Sequence, residues 1–154
     1  MKDIDSIVRA AFLTELKDKG DVWRILRRGS FVDLIRVSFF DYQKDNDEKH
    51  LIDIINHCMK AKLLSKIKSI EVQDTLEGTR ARFNKEDEFV LRQYDEVFNA
   101  LKPRFAAYSS TGRYDLSNTM LYIKVINQLE LDEYSDDVFD ELIGITYILL
   151  TKEG

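Results

Sequence analysis

The sequence predicts an all-α protein, a compact bundle of about six helices. Three observations carry that expectation. Apolar residues recur at intervals of three and four along most of the chain, the period of a helix with one buried face. One proline and six glycines in 154 residues are too few punctuating residues for a turn-rich β architecture. An apolar fraction of 44% is enough for a real core. The expected organisation is one domain over residues 1–154. Its alternative subdivision is an N-terminal helical subdomain, 1–68, and a C-terminal one, 85–154.

Val8, Ala11, Phe12 and Leu16 predict a first helix over Ser6–Lys17. Gly20 interrupts it, and Asp21 starts a short helix through Val22, Trp23, Ile25 and Leu26 that ends at Arg27-Arg28-Gly29. Ser30 and Asp33 have the spacing of a capping box for a helix over Phe31–Tyr42, although Val37 and Phe39-Phe40 also suit a buried strand. The polar run Gln43–Glu48 reads as a loop. Asp45 or Asn46 then caps a helix whose stripe is Leu51, Ile54, Ile55, Cys58, Lys62 and Leu63. Its opposite face carries His50, Asp53, His57 and Lys60. Residues 69–83 alternate weakly at Ile70 and Val72 and again at Thr79–Phe83, which suits a short β-hairpin as well as a loop. Asn84 caps a helix with the stripe Tyr94, Phe98, Leu101, Phe105 and Tyr108. Pro103 lies within that stripe and predicts a kink or break near Lys102. Asp115 or Ser117 begins a helix to Leu129. The last helix begins at Ser135 or Asp136, and it is so apolar from Leu142 to Leu150 that a central place in the bundle is expected.

Charge is unevenly distributed. Residues 1–84 hold 16 basic and 14 acidic side chains, and residues 85–154 hold 7 and 14. The acidic excess is densest at Glu130, Asp132, Glu133, Asp136, Asp137, Asp140 and Glu141. Basic residues gather at Arg24, Arg27, Arg28 and Arg36, and again at Lys60, Lys62, Lys66 and Lys68. Such segregation can steer partners.

Sequence signals for catalysis are absent. There is no P-loop, dinucleotide fingerprint, nucleophile elbow or His-Glu-x-x-His. His50, Asp53 and His57 share a helical face, but a zinc site needs three or four converging ligands and the chain has only these two histidines. Neither a metal nor a cofactor is expected. Cys58 sits on the apolar face, where a core role is expected. A single cysteine permits no internal disulfide, and the start Met-Lys-Asp-Ile-Asp lacks a basic-then-apolar leader. No run of about 18 apolar residues occurs that would span a membrane. The expected location is the cytoplasm.

Two partial resemblances accompany this reading. Residues 92–154 resemble the C-terminal helices of the small helical subunit of type III CRISPR effector complexes. The residues concerned are Gln93-Tyr94-Asp95, an apolar-basic helix, Gly112-Arg113 and two terminal helices ending near Tyr147. Residues 8–67 resemble small death-like helical domains of bacterial conflict systems, through Ile54, Cys58, Leu64 and Ile67. Neither carries a functional residue across.

The expected function is therefore a non-enzymatic protein–protein interaction module, an adaptor, inhibitor or small subunit. Its acidic face, from Glu130 to Glu141, would meet a partner with a basic surface. The alternative, which the basic N-terminal residues suggest, is a small helical subunit of a ribonucleoprotein such as a CRISPR effector complex. It would contact nucleic acid through Arg24, Arg27, Arg28, Arg36, Lys60, Lys62, Lys66 and Lys68.

Overall fold

The computed structural model describes residues 3–19, 26–73, 79–110 and 136–152. Those residues form the helices α1 (Ile4–Lys19), α2 (Arg28–Asp45), α3 (Glu48–Gln73), α4 (Thr79–Ser110) and α5 (Asp136–Lys152). No strand occurs among the described residues. The protein is all-α there, as the 3.6-residue periodicity requires.

Helix α1 begins before Ser6 because Asp3 caps it. The Asp3 carboxylate accepts the Ser6 N–H at 3.2 Å and the Ser6 hydroxyl at 2.7 Å. These bonds to Ser6 hold the Asp3 carboxyl below its usual range. Ile4, Val8, Phe12 and Leu16 then follow at intervals of four and are all buried.

Helix α2 also starts earlier than expected. Arg27 is its extended N-cap residue and makes no side-chain cap bond, while Ser30 donates its N–H to the Arg27 carbonyl at 3.0 Å. Arg28 and Gly29 thus open α2 rather than close a preceding helix, and the Ser30/Asp33 capping box is not used. Residues 21–25 of the expected short helix lie outside the described residues.

The α2–α3 junction is two residues long. Asn46 sits in the left-handed region (φ 56°, ψ 25°) and donates its N–H to the Tyr42 carbonyl at 2.8 Å. Asparagine tolerates this conformation better than most residues, because its short polar side chain can hydrogen-bond to the nearby backbone. Asp47, not Asp45 or Asn46, caps α3, its carboxylate accepting the Lys49 N–H at 3.0 Å. Most of the polar run Gln43–Glu48 is therefore helical.

Helix α3 continues to Gln73 and takes in Ile70 and Val72, while Thr79–Phe83 belong to α4. The hairpin over residues 69–83 does not form. Leu63, Ile67 and Ile70 continue the four-and-three spacing of α3, and two alternating positions are too few to override it. Residues 74–78 lie outside the described residues, as does the helix expected from Asp115 or Ser117 to Leu129.

Helix α4 is not broken at Lys102. Pro103 lies inside it. Both Pro103 and Asn99, whose carbonyl loses its helical donor, are exposed, so water can replace the missing bond.

Helix α3 is the hub of the fold and contacts all four of the other helices. Leu51, Ile54, Ile55, Cys58, Met59, Ala61, Leu63 and Leu64 are buried around most of its circumference. Helix α5 packs against α1, α3 and α4, burying Phe139, Leu142, Ile143, Ile145 and Leu150. One apolar cluster includes side chains from every one of these helices. A run of aromatic rings ties α1, α4 and α5. Phe12 lies 4.6 Å from Tyr94, Tyr94 stacks on Phe98 at 5.7 Å, and Tyr147 meets Phe105 at 4.8 Å between ring centroids. No described helix is long and apolar enough to cross a membrane.

Candidate interaction surface

The sequence-derived acidic face changes on folding. Asp140 points inward. Only 8% of its side chain is exposed, and its carboxylate pairs with Lys62 of α3 and, at 3.3 Å, with Arg104 of α4. The sequence groups it with the acidic face from Glu130 to Glu141 that would meet a basic partner. Instead the α3–α4–α5 junction sequesters it as a counterion. Glu141 is half-buried. The side chains of Asp136 and Asp137 lie outside the described set, as do residues 130, 132 and 133.

The basic face changes in the same way. Lys60 is buried and pairs with Glu15 of α1, and Lys62 is held by Asp140. The two lysines leave α3 on different sides, and each meets the carboxylate of a different covering helix, Glu15 of α1 for Lys60 and Asp140 of α5 for Lys62. Arg36 bonds Asp33 one turn back at 3.2 Å. Arg27 is exposed, whereas Arg24 and the side chains of Arg28, Lys66 and Lys68 lie outside the described set. Isolated buried charges are costly, so these inward lysines are retained only with their carboxylate partners.

A third polar tie links the chain ends. Tyr147 donates its hydroxyl to Asp5 at 2.7 Å, and Lys102 pairs with the same carboxylate. Burial, then the bond to Asp5, pushes the Tyr147 hydroxyl up to about 12. On the surface, Arg9 grips Asp95 with two bonds of 2.9 and 3.2 Å.

His50 faces Asp45 at 2.9 Å, across the α2–α3 junction. The Asp47 N–H, and then His50, hold the Asp45 carboxyl below its usual range. No group of three or more His, Cys, Asp or Glu is placed to hold a metal among the described residues. Cys58 is fully buried in the core and its thiol is pushed up by desolvation, which suppresses thiolate chemistry. Asn56 is also fully buried, and neither its amide nitrogen nor its oxygen has a partner among the described residues.

The feature that most resembles a docking surface lies elsewhere, on α2. Phe31, Val32, Ile35 and Phe39 are buried, but Val37 is 57% and Phe40 62% exposed, with Leu34 beside them at 39%. Positions 34, 37 and 40 are successive steps of three and form a stripe on the outer side of the helix. The sequence marks Phe31–Tyr42 as strongly apolar, with Val37 and Phe39-Phe40 also suiting a buried strand. The overlooked signal was its excess: apolar residues occur on more of the helix than one buried face requires.

No protein-family model, curated protein or solved structure matches the chain.

Proposed function

We propose that the protein is a non-enzymatic protein–protein interaction module that docks a partner on the outer face of α2. The observation that carries this reading is the exposed stripe Leu34, Val37 and Phe40, flanked by charged side chains. Clustered large apolar side chains with a polar rim favour association, because covering them removes apolar area from water. The inward placement of Lys60, Lys62 and Asp140 supports the same choice, since it removes charge from both surfaces suggested by the sequence.

The test compares affinity purification from the native host with wild type and with the Val37→Asp/Phe40→Asp variant. Both positions are exposed, so the variant should keep its helical circular dichroism. A partner held by wild type and lost by the folded variant is expected. Identical partner sets would refute the α2 face. Reversing Asp136, Asp137 and Glu141 to lysine, with Asp140 left in place, tests the acidic segment separately.

A further inference from the structure

We infer that the occupant of the α2 face is a second copy of this chain, bound antiparallel across a two-fold axis. This inference rests on the proposed docking face and names its partner. The argument is charge self-complementarity. Asp33 and Lys44 lie eleven residues apart, about three helical turns, and so project from nearly the same side of α2. Val37 and Phe40 fall between them, each four residues from its nearer charge. Asp33 is 77% exposed, and Lys44 is exposed near the other end of the helix. The outer face thus reads acid, apolar, apolar, base.

Place a two-fold axis at the level midway between Ser38 and Phe39. An antiparallel copy then sets Asp33 opposite the partner's Lys44, and Lys44 opposite the partner's Asp33. An isologous interface makes each such contact twice. Val37 and Phe40 interleave at the centre with the partner's Phe40 and Val37, with Leu34 at the edge. A parallel pairing in register would oppose like charges at both ends. The Arg36–Asp33 bond does not block this arrangement, because the Asp33 side chain is 77% exposed and its carboxylate can accept from a second cation. The apolar centre comprises few side chains, well short of the about 800 Å² per partner of a standard interface. The dimer is therefore weak and depends on protein concentration.

The experiment is sedimentation equilibrium of the full chain over a wide concentration range. Wild type should show reversible monomer–dimer association that weakens as salt rises. Asp33→Lys alone and Lys44→Asp alone should each weaken it about tenfold or more, because each turns both end contacts into repulsions. Mixed together, the two variants should associate again, since both end contacts of the mixed dimer are then opposite in sign. Phe40→Asp should abolish association while leaving the helical signal unchanged. A wild type that stays monomeric throughout, or a mixture that associates no better than its components, overturns the inference. The docking-face proposal fails separately, on unchanged host partners in the Val37→Asp/Phe40→Asp comparison.

Discussion

Replacing Asp140 with alanine should damage folding severely. Its carboxylate is the counterion of Lys62, whose side chain is only 11% exposed. Without Asp140 that little-exposed ammonium loses the carboxylate paired with it, and breaking one partner of a buried pair costs about 3–5 kcal/mol. Arg104 adds little, because its side chain is 51% exposed and can turn to water. The expected loss is a large part of the about 5–15 kcal/mol that holds a typical domain folded. With a urea slope of about 2 kcal/mol per molar, the midpoint should fall by about 1.5–2.5 M. Equilibrium unfolding followed by circular dichroism at 222 nm reads this directly. The double variant Asp140→Ala/Lys62→Met removes the ammonium along with its carboxylate and should recover most of the loss. A cost below about 1 kcal/mol for Asp140→Ala would refute the reasoning, and so would a double variant no more stable than the single.

Three further outcomes are expected. Tyr94→Phe should raise the urea midpoint slightly, equivalent to about 1 kcal/mol, because the buried Tyr94 hydroxyl has no hydrogen-bond partner among the described residues. Asn46→Gly should be neutral or mildly stabilising and Asn46→Val should cost about 1–2 kcal/mol in the same assay, since position 46 has φ 56°. Alkaline pH should destabilise the fold. The Tyr147 hydroxyl is raised from 10 to about 12, so its contribution is whole below pH 10 and lost as pH rises towards 12. Urea midpoints measured from pH 9 to pH 12 should therefore fall less steeply for Tyr147→Phe than for wild type.

Much of the architecture was legible in local pattern. The stripe Tyr94, Phe98, Leu101 and Phe105 is buried as its spacing requires, and so are Val8, Phe12 and Leu16 of α1. Cys58 is a core residue, as its place on the apolar face implied. Helix ends were less legible. Asp3, Arg27 and Asp47 lie at the true N-caps, yet several neighbouring Asp, Asn and Ser residues fit the same capping chemistry. The Ile70/Val72 alternation mimicked a strand only because a short window cannot register that α3 continues through it.

The candidate surface was the least legible part, for a physical reason. A charged residue in a sequence reads as solvated, because burying a lone ion is prohibitive. That inference fails when a partner distant in sequence supplies the opposite charge, as Glu15 does for Lys60 and Asp140 does for Lys62. An apolar residue reads as buried, yet Val37 and Phe40 are exposed because no described helix packs over the outer side of α2. The sequence by itself determined the helical class, most of the helix positions and the inward stripes of α1 and α4, since these follow from periodicity within a few turns. Only the tertiary structure decided which charges are neutralised inside and which apolar side chains face water. Both depend on which helix covers which face, a relation among residues far apart in the chain.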